Sequence, residues 1–322
     1  MAEELFTPIL YDRAVVPEKH RIAQPMEQRH YLCDGAIKEW SGPQQDVLSP
    51  LCEAAGSTAR QKHIGSYPLL TETQAMESLE AACGAYDHGR GEWPTMPVEE
   101  RIRHVEAFAY RMQEQREEVV KLLMWEIGKT LPDAEKEFDR TVDYIRDTID
   151  ALKDLDRLSS RFVIEQGVIG QIRRAPLGVV LCMGPFNYPL NETFTTLIPA
   201  LVMGNAVILK PPKLGVLLHQ SLLKPFRESF PQGVINTVYG DGQQSVSGKP
   251  GNEAVHRGAV RTGRPDCPIQ RYRGTHELRD AIRLWTAGQL VRKQPGSDCR
   301  SHRPLGQSGL PGQHKQPVPA RS

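Results

Sequence analysis

Apolar residues recur at helical spacing between residues 71 and 155, and this pattern predicts three amphipathic helices. The first begins at Thr71, because Thr71 and Gln74 have the spacing of a capping box. A second begins at Pro97, where two glutamates in the first turn oppose the positive end of the helix dipole. The third runs from about Pro132 to Leu155. Its apolar residues form one narrow face, and they are Phe138, Val142, Ile145, Ile149 and Leu152.

The spacing changes to short β-rich runs further along the chain. Residues 178–183 and 206–209 are apolar runs bounded by Gly or Pro, and residues 190–203 between them have the length of a helix. Strand, helix and strand in succession predict a βαβ crossover and therefore parallel pairing. Residues 233–240 predict a third parallel strand. Ligands of such open sheets bind at the carboxyl ends of the strands.

A hairpin, an alternating segment and two unpatterned ends complete the pattern. Asp34-Gly35 predicts a tight turn in a small hairpin. Residues 161–174 alternate and are rich in β-branched side chains, which predicts extended structure. Residues 1–28 carry no periodicity, so we expect a flexible N-terminus. Residues 245–322 are rich in Arg, Gly and Pro and poor in large apolar side chains, and such a composition favours disorder.

Charge follows the same division of the chain. The formal net charge is +1, but residues 1–244 carry 26 basic against 34 acidic side chains, whereas residues 245–322 carry 14 against 5. The basic tail has no interleaved aromatic residues, so binding of RNA or another acidic partner is the weakest of our hypotheses. Scattered cysteines, the absence of a signal-like start and short apolar runs favour a cytoplasmic protein without a membrane segment.

Three motifs carry a resemblance to the aldehyde dehydrogenase superfamily. They are P-x-G-V at 176–179, P-F-N-Y-P at 185–189 and G-N-x-V-x-x-K-P at 204–211. Phe-Asn-Tyr-Pro followed by Lys-Pro-Pro looks like the NADP-dependent, non-phosphorylating glyceraldehyde-3-phosphate dehydrogenases. The resemblance therefore implies oxidation of glyceraldehyde 3-phosphate to 3-phosphoglycerate. It runs from about residue 29 to residue 242.

The resemblance also implies an α/β fold: an incomplete doubly wound (Rossmann-like) parallel sheet with N-terminal helices and a hairpin arm, followed by a disordered C-terminal tail. Residues 29–160 and 176–244 correspond to a partial cofactor-binding domain, whose last strand we expect to be an unpaired edge. Residues 161–175 correspond to the arm through which intact relatives form homo-oligomers. In residues 245–322 we expect a disordered basic tail in place of the catalytic domain.

Several residues take cofactor or oxyanion roles by resemblance. Asn187 corresponds to the side-chain amide that stabilises the oxyanion, although an Asn beside Pro is otherwise ordinary turn chemistry. Lys210, Pro211 and Gly240 correspond to the cofactor site. Lys213 is a cation where NAD-preferring relatives often carry a carboxylate, so we expect NADP rather than NAD. A lysine that merely faces water is the alternative.

Two residues bear on the substrate. Tyr188 and Arg140 correspond to residues that reach the substrate phosphate, a task that suits a phenol and a guanidinium. A competing interpretation of Arg140 is a solvated helix arginine paired with Glu137 or Asp143, three residues away. Relatives with the same Asn turn act on lactaldehyde or semialdehydes, so another small aldehyde is the alternative substrate.

The residues that would carry out the reaction are missing from the sequence. Aldehyde oxidation needs a thiolate nucleophile and a carboxylate that activates water, but neither a G-Q-x-C-like nor an E-L-G-G-like segment occurs. Cys267 and Cys299 lack the expected surroundings, and Cys182 lies in a strand, where a thiol packs as a small hydrophobe. No metal-ligand spacing occurs either. We therefore expect an inactive, non-catalytic fragment, truncated or frameshifted after about residue 244.

Overall fold

In a computed structural model the chain is described over residues 9–12, 15–55, 58–159, 161–171 and 174–240. The strands in these ranges are β1 (Ile9–Leu10), β2 (Met26–Glu27), β3 (His30–Cys33), β4 (Ala36–Glu39), β5 (Gln44–Ala55), β6 (Thr58–Pro68), β7 (Val163–Glu165), β8 (Val168–Gly170), β9 (Val179–Met183), β10 (Ala206–Lys210) and β11 (Ile235–Thr237). The α-helices are α1 (Glu72–Tyr86), α2 (Glu92–Thr95), α3 (Val98–Gln113), α4 (Arg116–Ile127), α5 (Leu131–Ser159), α6 (Asn191–Val202) and α7 (Gln220–Ser229). The predicted tail 245–322 lies outside the described residues.

A three-stranded parallel sheet, in the order β11-β10-β9, contains the predicted crossover. Val207 lies opposite Val180 on one side and Ile235 on the other, so the three strands run side by side in one direction. The helix α6 connects β9 to β10, which confirms the strand–helix–strand prediction and the α/β class. This order corresponds to the first half of a doubly wound sheet.

The helical predictions are confirmed with small shifts at the ends. Thr71 caps α1, and its backbone amide donates to the Gln74 side chain at 3.2 Å, as in a capping box. The helix α3 begins directly after Pro97. The predicted inner face of α5 is buried throughout. The short helix α2 was not predicted, because its four residues are too few for a periodic pattern.

The first part of the chain forms a second sheet, in the order β1-β5-β6-β2. The long strands β5 and β6 pair antiparallel, and β1 and β2 add to their outer edges in parallel. Both short strands come from the segment 1–28, for which flexibility was expected; in its described residues this segment pairs with the hairpin instead. Two residues per strand leave too little alternation for a sequence pattern.

The last strand of the parallel sheet carries contacts that were not predicted. In the described residues β11 is an edge of the strand ladder, as expected, and β9 is the other edge. Side chains of β11 nevertheless hold β3: the amide of Leu32 donates to Thr237 Oγ1 at 2.8 Å. The amide of Asp34 likewise donates to Asn236 Oδ1 at 2.9 Å. Side-chain acceptors on β11 thus bind a hairpin from far earlier in the chain.

The predicted arm is a two-stranded hairpin, β7 paired antiparallel with β8. Its turn consists of Gln166 and Gly167, which have φ values of 48° and 81°. Its large apolar side chains are 54–71% exposed, and they are Phe162, Val163, Ile164, Val168 and Ile169. None of the helices in the described ranges has the length and apolarity that crossing a bilayer requires.

Candidate cofactor and substrate site

The register of the parallel sheet brings three predicted site segments to one edge. Met183 lies opposite Lys210, and Leu209 lies opposite Thr237. All three strands therefore end at nearly the same level, and the loops that follow them, 184–190, 211–216 and 238–240, leave from a common edge. We call them the substrate loop, the cofactor loop and the third loop.

The substrate loop carries Asn187 and Tyr188 and exposes both. Phe186 is 53% exposed and Tyr188 is 45% exposed, whereas Pro189 and Leu190 are buried. The loop is thus fixed at its far end and presents its middle to solvent. An exposed side-chain amide at a strand end can donate a hydrogen bond to an oxygen that gains negative charge.

Glu137 of α5 fixes the end of the substrate loop. Its carboxylate is fully buried, and Oε1 accepts the amides of Leu190 at 3.1 Å and Asn191 at 3.2 Å. These amides open α6, where the first turn has no acceptors of its own and a negative charge is favourable. Asn191 adds a bond from Nδ2 to Thr141 Oγ1 at 3.3 Å.

Lys129 connects Glu137 to Tyr188. Its side chain is 13% exposed and forms an ion pair with Glu137. The same ammonium lies 3.9 Å from the centroid of the Tyr188 ring, which is cation–π contact. The Lys129 ammonium therefore contacts both the buried carboxylate of Glu137 and the exposed ring of Tyr188.

The cofactor loop is held by a second buried glutamate. Glu126 is 2% exposed, and its two oxygens accept the amides of Val216 at 2.8 Å and Leu217 at 3.1 Å. Burial raises the pKa of Glu126 to about 7, because desolvation disfavours the charge more than the backbone amides favour it. The carboxyl of Glu126 thus titrates near neutral pH.

The cofactor loop exposes its distal lysine. Pro211 and Pro212 are buried and fix the turn, and Lys213 is exposed. Lys210 is half-buried, with Nζ 3.5 Å from the carbonyl oxygen of Pro211. Gly240, the last described residue, is half-buried at the same edge. The edge thus combines two lysines with a glycine.

The Arg140 side chain is exposed on α5, one helical turn beyond Glu137, as a solvated helix arginine would be. In the described residues the ion pairs of the two neighbouring carboxylates are Glu137 with Lys129 and Asp143 with Arg146, the latter at 3.3 Å.

Two buried thiols of the described residues are poorly suited to act as a nucleophile at this edge. Cys182 is buried in β9, and burial raises its pKa to about 12. Burial also raises the pKa of Cys33. A thiolate is the reactive form, so neither residue suits nucleophilic attack near neutral pH. No group of three or more potential ligands that could hold a metal occurs in the part of the chain that the structure describes.

Sequence reasoning missed Glu126, Lys129 and Glu137. One signal was available: Glu126 interrupts the apolar run that closes α4, and a buried carboxylate needs partners. Glu137 was considered only as a partner of Arg140. Two of its partners are backbone amides more than fifty residues away, which no spacing rule reveals.

The chain resembles known proteins over this same region. The profile of the aldehyde dehydrogenase family matches residues 54–256. A malonate-semialdehyde dehydrogenase 1 of Bacillus thuringiensis (strain Al Hakam) is 33% identical over 189 residues, which are 58% of this chain and 38% of the relative. The chain thus spans well under half the length of the curated relatives it matches.

Solved structures give the same result. A crystal structure of NADP-dependent glyceraldehyde-3-phosphate dehydrogenase from Bacillus halodurans C-125, complexed with NADP, has a TM-score of 0.55 and 30% identity. The match covers 67% of this chain and 44% of that one. A lactaldehyde dehydrogenase from Escherichia coli has a TM-score of 0.57 and 26% identity, with coverage of 68% and 43%.

Proposed function

Because the chain belongs to the aldehyde dehydrogenase family, we propose that it carries part of the cofactor and substrate sites of an NADP-dependent oxidoreductase. The reaction is the oxidation of glyceraldehyde 3-phosphate to 3-phosphoglycerate. The observation that carries this proposal is the common edge of the parallel sheet, where Lys210 ends β10 and Asn187 and Gly240 follow β9 and β11, the three strands being in register.

The cofactor loop suits a dinucleotide with a 2′-phosphate. Residues 210–214 contain two lysines and no carboxylate, and Lys213 is exposed beyond two buried prolines. An exposed cation there attracts a phosphate, whereas a carboxylate would favour free ribose hydroxyls. Lys210 is assigned to the adenosine ribose, and Pro211 and Gly240 to the walls of the site. When bound, the nicotinamide accepts hydride.

The substrate loop suits a small aldehyde with an anionic group. In this proposal the Asn187 amide donates to the aldehyde oxygen, and Tyr188 and Arg140 bind the phosphate through charge-assisted hydrogen bonds. The exposure of all three side chains supports these roles. The ion pairs of Glu137 and Asp143 in the described residues are with Lys129 and Arg146, which is compatible with a phosphate as the partner of Arg140.

A carboxylate-bearing or uncharged small aldehyde is the second candidate substrate. It is favoured by the 33% identity to proteins named malonate-semialdehyde dehydrogenase and by the likeness to lactaldehyde dehydrogenase. The anion-binding chemistry is the same for a phosphate and a carboxylate. Affinities for 3-phosphoglycerate, malonate and lactate separate the candidates, and we expect 3-phosphoglycerate to bind most tightly.

Calorimetric titration of the purified chain tests the cofactor assignment. We expect NADP to bind more tightly than NAD, and we expect Lys213→Glu to weaken NADP about ten-fold while leaving NAD nearly unchanged. Lys224→Glu, an exposed lysine on α7, is the matched control. Equal affinities for NADP and NAD in the wild type would contradict the preference.

Turnover is expected to be absent from these 322 residues on their own. No G-Q-x-C-like or E-L-G-G-like segment occurs in them, and burial raises the pKa of the Cys33 and Cys182 thiols, which favours their protonated form. An assay with NADP and glyceraldehyde 3-phosphate checks this expectation. Any NADPH formed above the protein-free blank would contradict it.

The arm is proposed to pair with a second copy of the chain. Five apolar side chains of residues 162–169 are more than half exposed on one small hairpin, and such a cluster marks an interaction surface.

Cytoplasmic localisation stays a prediction.

A further inference from the structure

We propose that Lys129 is a positioning residue for substrate recognition. Its ammonium holds the ring of Tyr188 by a cation–π contact, and Glu137 in turn holds the ammonium. The inference rests on the proposed function, because that proposal assigns Tyr188 to the substrate anion.

The backbone of Lys129 is fixed on both sides. It lies in the short connection between α4 and α5, directly after Gly128, which ends α4 in the left-handed region with φ of 79°. A Cβ at Gly128 would lie 3.0 Å from Cγ of Pro50, so glycine is favoured there by space as well as by conformation. Thr130 accepts the amide of Asp133 at 3.3 Å and so caps the start of α5.

The side chain of Lys129 is also confined. Only 13% of it is exposed, and its two charged or aromatic neighbours are the buried Glu137 carboxylate and the Tyr188 ring, 3.9 Å away. Withdrawal from water strengthens cation–π attraction. Because the ion pair fixes the nitrogen, the ring contact is directional rather than a transient approach of a flexible lysine.

Glu137 contacts both the backbone of the substrate loop and the ammonium of Lys129. One oxygen accepts the amides of Leu190 and Asn191, the residues that follow Tyr188 and Pro189. The carbonyl oxygen of Tyr188 itself accepts the amide of Glu192 at 3.1 Å. The same carboxylate therefore fixes the backbone beyond Tyr188 and, through Lys129, the face of its ring.

Ring resonances of Tyr188 test this positioning directly. The full chain is labelled with ring-¹³C tyrosine, and Tyr188→Phe identifies the Tyr188 signal. We expect Lys129→Met to shift that signal toward the position of a freely exposed tyrosine, and we expect Lys129→Arg to keep it close to the wild-type position. Lys62→Met is the matched control, because Lys62 also pairs with a glutamate and lies over a ring, that of Trp125, at 5.6 Å.

A second variant separates the loss of the ring contact from a loss of stability. Lys129→Met leaves the Glu137 carboxylate buried without its cation, which is strongly destabilising. The double variant Lys129→Met/Glu137→Gln removes both charges and keeps an amide oxygen for Leu190 and Asn191. A Tyr188 signal that stays at the wild-type position in the double variant would overturn the inference.

The role of Lys129 in substrate recognition is tested by how strongly the chain prefers a ligand that carries a phosphate. The affinities of 3-phosphoglycerate and glycerate are measured by calorimetry, and their ratio is expected to fall about five-fold in the double variant. Lys129→Arg and Lys62→Met are expected to keep the wild-type ratio. A shifted Tyr188 signal with an unchanged ratio would contradict the recognition role. If the wild type does not bind 3-phosphoglycerate, the proposed function fails, whereas the ring signal still decides whether Lys129 positions Tyr188.

Discussion

The substrate loop and the cofactor loop are fixed in the same way but with different electrostatics. In each, a buried glutamate from the α4–α5 region accepts two consecutive backbone amides, Glu137 at the substrate loop and Glu126 at the cofactor loop. Glu137 has a cation, Lys129, beside it. The bonds that Glu126 accepts come from backbone amides, and burial raises its pKa to about 7.

The difference shows what a counter-ion does for a buried carboxylate. Removal from water penalises the charged form, and a nearby cation or several amides offset that penalty. At the substrate loop the counter-ion also contacts an exposed ring, so it links the buried support to the surface. At the cofactor loop the corresponding carboxyl is that of Glu126, and its charge changes with pH near neutrality.

The largest expected effect is at Glu137. Glu137→Ala removes the acceptor of two buried amides and leaves Lys129 without its partner, so we expect a loss of about 3–5 kcal/mol in the free energy of unfolding. Urea unfolding measures it. Glu135→Ala is the control on the same helix, because Glu135 is 40% exposed and forms an ion pair with Arg116 at 3.3 Å. We expect a loss within about 1 kcal/mol there. Equal losses would remove the distinction between buried and exposed carboxylates.

Glu126 gives the next effect, and its sign depends on pH. A carboxyl whose pKa is raised on folding stabilises the fold fully below its ordinary pKa, near 4.5, and loses that contribution as pH rises through about 7. Glu126→Gln cannot ionise, so we expect it to gain stability relative to the wild type between pH 5 and pH 8. Thermal unfolding across that range checks the trend.

His219 supplies an internal control for the pH experiment. It is fully buried beside the same loop, with Nδ1 3.1 Å from the carbonyl oxygen of Gly215, and burial lowers its pKa to about 4. Its contribution is present above about pH 6.5 and is lost as pH falls through about 4. The wild type and Glu126→Gln share this loss, so it cancels in their difference. A difference that stays constant from pH 5 to pH 8 would contradict the Glu126 assignment.

The smallest effect is expected at Asn191, the secondary support of the substrate loop. Asn191→Ala removes one hydrogen bond, from Nδ2 to Thr141 Oγ1 at 3.3 Å, while Glu137 keeps both of its amides. We expect a loss of about 1 kcal/mol in the free energy of unfolding, with no change in its pH dependence. A loss as large as that of Glu137→Ala would mean that Glu137 is not the main support.

The sequence predicted the elements but not the contacts that hold the loops. The capping box at Thr71, the inner face of α5 and the βαβ crossover are local patterns, and local patterns predict local structure. Parallel pairing then predicted that the segments of Asn187 and Lys210 share a sheet edge. That step follows from the common direction of the strands alone.

The contacts of Glu126 and Glu137 join residues that are far apart in the chain. A carboxylate in an apolar run indicates a buried polar partner but does not identify it, because any backbone amide is an acceptable donor. The covering of β11 by β3 was missed for the same reason: its bonds pass through Thr237 and Asn236 side chains rather than a strand ladder.

A titration of the ¹⁵N-labelled chain with NADP tests the central claim that the carboxyl edge of the sheet is the nucleotide site. We predict amide shifts in residues 213–216 and 238–240, with smaller shifts in residues 186–188 and 190; the prolines of these loops carry no amide hydrogen. We also predict that residues at the opposite ends of the strands, such as Val179 and Ala206, keep their positions. Shifts confined to those opposite ends, or no shifts at all, would contradict the account.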